Sequence, residues 1–168
     1  MHSNHENKNE KNMGKGMHEN PYRQLIIMIV LSFISMYILM YAMVNAIGNV
    51  YNSFNQVYMA GLMTAPMVLI ELFVMRGMYQ DKRRSTLFIV GSVAAGLLFF
   101  LLIRQQAAIS DRQFLRSMIP HHAGAILMCE EANIEDAEIR DLCQSIILGQ
   151  QQEIDQMKAI LQKSEQEE

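Results

Sequence analysis

Three apolar runs, at residues 25–44, 57–75 and 86–103, each come close to the roughly 20 residues a helix needs to cross the hydrocarbon core of a bilayer. With no water in that core to satisfy exposed amides, such runs fold as helices that close their hydrogen bonds internally. A chain of 168 residues that commits three segments this way has little left for a large soluble core. The expected fold class is therefore all-α. It comprises a polar tail at residues 1–22, a three-helix membrane anchor at residues 23–104 and a charged helical segment at residues 105–168.

The first run follows a long polar stretch and lacks the short apolar region of a secretory signal. Val44-Asn45-Ala46 would pass as a cleavage site, but an uncleaved anchor is the favoured reading. Basic residues tend to stay on the cytoplasmic side of short loops. Arg76, Lys82, Arg83 and Arg84 sit between the second and third runs, whereas residues 45–56 carry no charge. This places the tail inside the cell and everything after residue 103 outside the inner (plasma) membrane, in the periplasm or beyond. Arg104, Arg112 and Arg116, near the outer end of the third run, weigh against that orientation.

The tail has too little apolar surface to repay the entropy of ordering, so disorder is expected. His2, His5, Met13, Met17 and His18 are scattered along it without the preorganisation that tight binding needs. A formal net charge of -3 argues against a nucleic-acid partner.

Fifteen methionines against no tryptophan is the compositional oddity. Met36, Met40 and Met43 share a face of the first helix, and Met59, Met63 and Met67 a face of the second. A thioether ladder for a cuprous ion is one reading; helix packing and lipid contact is the blander and favoured one. Glu71, ionisable within a span, needs a partner, and Arg76 is near enough to neutralise it. Pro66 should loosen the helix around Leu62, whose carbonyl loses its donor. The pairs Gly61 with Ala65 and Gly91 with Ala95 allow close helix contact.

Beyond the anchor, two amphipathic helices are expected around a break at about residues 133–136. Ser110 or Asp111 caps the first, and Pro120 must kink that helix or begin a new one. At about 100° per residue, Met118, His122, Ala125, Cys129 and Ala132 form one stripe, with His121 and Met128 on its shoulder. The second helix presents Ile139, Leu142, Cys143, Ile146, Ile147, Gln150, Ile154, Met157 and Leu161, with Glu153 at the edge. Two short helices bury too little area to stand alone, so a dimer of hairpins forming a four-helix bundle is expected.

Thioether and imidazole together select soft or borderline metal ions. The candidate ligands are Met118, His121, His122 and Met128, assisted by Met157 and Glu153. Adjacent histidines point about 100° apart on a helix, so one ion rarely takes both from one chain. The plain alternative is a helix turn whose imidazoles meet water while the methionines pack. Catalysis is not expected: no Glu here has a His three residues later, as di-iron bundles require, and no nucleophile elbow, phosphate loop or dinucleotide fingerprint occurs.

Taken together, Asp111, Phe114, Met118-Ile119-Pro120-His121-His122, Ala125-Ile126, Met128, Glu138-Ile139-Arg140, Ile146-Ile147, Gln150, Glu153-Ile154 and Met157 resemble the domain of unknown function 305 family. Met63-Thr64-Ala65-Pro66-Met67 and Glu71 are similar to the membrane portion of some members. The resemblance implies a ferritin-like helical hairpin of bacterial origin that dimerises and holds Cu(I) or Ag(I) on Met and His. Such proteins are associated with copper and silver handling, and the expected role is copper tolerance or homeostasis, with the ion passed to a metal efflux or chaperone protein. A structural or partner-recognition subunit of a membrane complex is the rival. The sequence departs from the family at Cys129 and Cys143, where small apolar residues are usual. A disulfide across the hairpin, thiolate ligation and inert buried thiols all remain open.

Overall fold

The structure, a computed structural model, describes residues 20–166. Its α-helices are α1 (Pro21–Leu39), α2 (Phe54–Val74), α3 (Lys82–Gln105), α4 (Asp111–Glu131) and α5 (Ala137–Gln166), and no strand occurs among the described residues. The tail histidines and Met13 and Met17 lie outside that range.

Three helices are long and apolar enough to cross a membrane: Pro21–Met43, which adds a 3-10 turn to α1, then α2 and α3, with mean hydropathy 2.5, 1.8 and 2.6. Each begins a few residues before its apolar run because capping residues, not hydropathy, set the start. Asn20 accepts from the Tyr22 amide (3.1 Å) ahead of Pro21, Ser53 and Gln56 form a capping box, and Asp81 accepts from the amides of Arg83 and Arg84.

One end of the anchor is pinned around Tyr22. Its ring lies 5.4 Å from Tyr79 and 5.9 Å from Phe88, its hydroxyl donates to the Asp81 carbonyl at 2.8 Å, and the Arg84 guanidinium sits over its face. The start of α1 and the α2–α3 connection therefore share one end. Glu71 finds its partner in the Tyr79 hydroxyl (3.3 Å) rather than in Arg76. Burial, and then the Glu71 carboxylate, hold the Tyr79 phenol above its usual range.

Only one of the two small-residue pairs closes a helix contact. Gly61 is buried with the Phe99 ring where a Cβ would stand, and Gly96 lies against Ala65. Both pairs line an apolar cavity of about 480 Å³ among α1, α2 and α3, but at Gly91 nothing lies within 4 Å of where a Cβ would stand. Gly61→Leu is expected to force the Phe99 ring aside and cost about 1–3 kcal/mol, read as a lower midpoint for thermal unfolding in lipid nanodiscs. Pro66 does not interrupt α2; it is exposed on the helix surface and removes a single donor.

The turn from α3 into α4 carries no glycine. Gln106 caps α3 in the left-handed region (φ 49°), with the Ala107 amide donating to the Leu102 carbonyl at 3.0 Å, and Ala108 is also left-handed (φ 58°). Such residues cost roughly 1–2 kcal/mol each outside glycine, so the turn is held by what it joins. Tyr58 donates to the Ala107 carbonyl (3.0 Å), the Phe54 amide donates to Gln113 (3.0 Å), and Asn55 reaches Ser117 (3.3 Å). These bonds seat α4 on the start of α2.

Ser110 is the N-cap of α4, accepting from the Gln113 amide. Of the two outcomes expected at Pro120, a new helix is excluded: α4 continues through it to Glu131, and the burial of the ring offsets part of the lost hydrogen bond and the crowding of the preceding turn. After residues 132–136, Asp136 accepts from the Ile139 amide and α5 runs back along α4. Arg112 donates to the Ser164 carbonyl, and Arg116 pairs with Glu165 at 3.1 Å. Near the turn, Cys129 and Cys143 are joined in a disulfide with Cα atoms 5.3 Å apart, which selects one of the three open readings for these cysteines.

The core between α4 and α5 consists of Ile119, Ala123, Ile126, Ile154, Met157 and Leu161, with Val44 and Tyr51 of the α1–α2 connection packed against it. The α4 face that buries is thus not the expected stripe from Met118 through Ala132 but the one beside it. The reason is that α4 has two neighbours. Ile119, Ala123 and Ile126 meet α5, while Pro120 and Gly124, about a third of a turn further round by helical spacing, turn towards the anchor.

Candidate functional site: a methionine-lined cavity beneath α4

The anchor-facing side of α4 roofs a cavity of about 460 Å³. Met118, His121 and Met128 come from α4, Met40 and Met43 from the 3-10 turn that follows α1, and Met59 from the second turn of α2. Helical spacing explains the α4 contribution, since positions 121, 124, 125 and 128 follow one another every three to four residues. Gly124 permits the approach. A Cβ there would lie 3.3 Å from the Met43 carbonyl oxygen, so a larger residue would lift α4 away from α1. Ser53, Asn55, Gln56 and Ser117 supply polar groups to the same walls. Gln56 is fixed by a 2.6 Å hydrogen bond from the Tyr41 hydroxyl, whose oxygen also lies 3.0 Å from the Tyr51 carbonyl oxygen.

The six residues singled out from sequence divide into three groups. Met118, His121 and Met128 reach the cavity. His122 and Glu153 pair with each other: the ring Nε2 lies 2.8 Å from the Glu153 carboxylate and Nδ1 lies 2.8 Å from the Met118 carbonyl. Both ring nitrogens lie within hydrogen-bond distance of protein oxygens, so His122 is engaged between α4 and α5 rather than turned to the cavity. Met157 is 9% exposed and packs in the α4–α5 core.

His121 differs from its neighbour in every respect. It is exposed, it has no hydrogen-bond partner among the described residues, and its ring stands 6.0 Å from that of His122 with a 65° angle between planes. The divergence expected of adjacent helical histidines therefore separates a structural imidazole from one free to coordinate. No group of three or more His, Cys, Asp or Glu side chains that could hold a metal occurs among the described residues. The donors on offer in the cavity are neutral thioethers with one imidazole, which suit a soft monovalent ion far better than zinc or calcium.

Sequence reasoning placed Met40, Met43 and Met59 on membrane helix faces and treated them apart from the α4 residues. No local signal joins them, because the convergence arises from α4 folding back over the C-terminal end of α1 and the N-terminal end of α2.

Residues 101–167 match the family model described as Domain of unknown function (DUF305). An uncharacterized protein of Acanthamoeba polyphaga mimivirus is similar over a longer stretch: it is 32% identical over 140 residues, covering 82% of this chain and 90% of the viral protein. The chain belongs to the DUF305 family. The 140 aligned residues exceed what the matched segment holds, so the likeness of this DUF305 protein to its viral relative extends into the anchor. No solved structure matches. Neither the family description nor the relative's name states a ligand, so the chemistry rests on the cavity.

Proposed function

We propose that this protein is a membrane-anchored binder of soft metal ions, Cu(I) or Ag(I), serving copper tolerance or homeostasis by capture and transfer rather than by catalysis. The observation that carries the reading is the cavity in which Met118, His121 and Met128 meet further thioethers with no competing carboxylate on its walls. Thioether and imidazole donors favour Cu(I) over the harder ions abundant in cells. The ion is cargo, and an efflux or chaperone protein would receive it.

Two features support the orientation proposed for the anchor, with the tail inside and the α4–α5 pair outside. The basic connection holding Arg76 and Lys82 to Arg84 lies at the end opposite α4. The Cys129–Cys143 disulfide suits an oxidising compartment. In the α4–α5 unit, read as a ferritin-like hairpin, Ile139, Leu142 and Ile160 are 50%, 57% and 48% exposed along the edge of the apolar stripe. That edge favours pairing of two copies into a four-helix bundle.

Titration of the full chain in nanodiscs with Cu(I) against a chromophoric chelator tests the reading. Wild type should compete for the ion, and Met118→Leu/His121→Ala/Met128→Leu should bind at least about ten-fold more weakly. Unchanged affinity in that variant would remove the site.

A further inference from the structure

We infer that the metal site is composite: the membrane helices supply Met40, Met43 and Met59 as ligands together with Met118, His121 and Met128 of α4, so that the ion is held at the junction of anchor and exported segment. This rests on the soft-metal reading above and specifies where the ion sits.

Three observations carry it. The six side chains line a single cavity, although 88 residues of sequence span Met40 to Met128. The junction is a built contact rather than a loose apposition. Gly124 admits the α1 backbone at Met43, Asn55 bonds Ser117, Phe54 bonds Gln113, and Val44 and Tyr51 enter the α4–α5 core. Third, neighbouring thioethers stand apart from the cavity. Met36, one turn before Met40, has its sulfur 3.6 Å from the Thr64 hydroxyl oxygen, Met63 is exposed elsewhere on α2, and Met157 is packed in the α4–α5 core; none of the three lines the cavity.

A site of this kind has a chemical consequence. A Cu(I) or Ag(I) ion bound by neutral donors keeps its positive charge, and a cavity bordered by Ser53, Asn55, Gln56 and Ser117 offers dipoles to that charge at the level where the apolar spans end. Cargo can then enter or leave along the anchor as well as from bulk solvent. The exported segment cut from its anchor would retain only half of the donors.

The test uses the full chain in nanodiscs with methionine methyl groups labelled with carbon-13. On addition of Ag(I), the methyl resonances of Met40, Met43 and Met59 should shift together with those of Met118 and Met128, while Met36 and Met63 stay in place. Chelator competition should show at least ten-fold weaker Cu(I) binding by Met40→Leu/Met43→Leu/Met59→Leu, which preserves side-chain volume, and unchanged binding by Met63→Leu. Shifts confined to Met118 and Met128, with wild-type affinity in the triple anchor variant, would overturn the composite site while leaving the soft-metal reading intact. No shift and no competition by wild type would instead refute the metal reading itself. The label experiment needs no substitution, so a poorly folding variant does not blunt it.

Discussion

Ile154→Ala is expected to destabilise the α4–α5 pair by about 2–5 kcal/mol. Ile154 is fully buried and packs among Ile119, Ala123, Ile126, Met157 and Leu161, so truncation removes transfer free energy and leaves a void that few neighbours can fill. Ala123 adds little volume, and Ile119 and Ile126 are already fixed on one face of α4. The loss should appear as earlier release of hydrogen-exchange protection across both helices in denaturant titration, while the amides of α2 and α3 keep theirs. Uniform loss of protection through the anchor would show instead that the pair and the spans unfold as one unit. A change below 1 kcal/mol would mean that the site collapses around alanine.

The distribution of that core also explains how far the sequence was readable. The three spans stood out because runs of this length have one structural solution in lipid. The break near residues 133–136, the Ser110 cap and the buried Ile154, Met157 and Leu161 followed from spacing and capping chemistry, which are local. The buried face of α4 was misplaced for a reason that periodicity does not contain. A helix with a single neighbour shows one apolar stripe, but α4 packs α5 on one side and the anchor on the other, and Met118 with His122 falls between the two. Glu71 and Tyr79 pair across a helix end, where no regular spacing applies. The left-handed Gln106 and Ala108, without the glycine that usually marks such a turn, hid the reversal that brings α4 over the methionines. The donor types of the cavity were legible in the chain; their assembly depended on contacts between segments far apart in sequence.

The second large effect concerns the disulfide. Cys129→Ser/Cys143→Ser closes no loop across the 14-residue separation, and a bond enclosing a loop of that size is worth about 3 kcal/mol through the unfolded state. Its position matters as much as its size. At the far end of the pair, Ile154, Met157 and Leu161 are buried and Arg112 and Arg116 tie α4 to the end of α5. Near the turn, Ile139 and Leu142 are half exposed, so little burial secures the first turns of α5 there, and the covalent bond supplies what packing does not. The variant should therefore lose exchange protection first over residues 129–146, with a lowered midpoint for the whole pair. Met128, next to Cys129, should gain mobility as its helix end frays, and Cu(I) affinity should fall less than it does on removing His121, because His121 and Met118 lie about two and three turns further from the bond. Protection over residues 129–146 unchanged in the double variant would place the stabilising contact elsewhere, on Ile139 and Leu142 packed against a second copy.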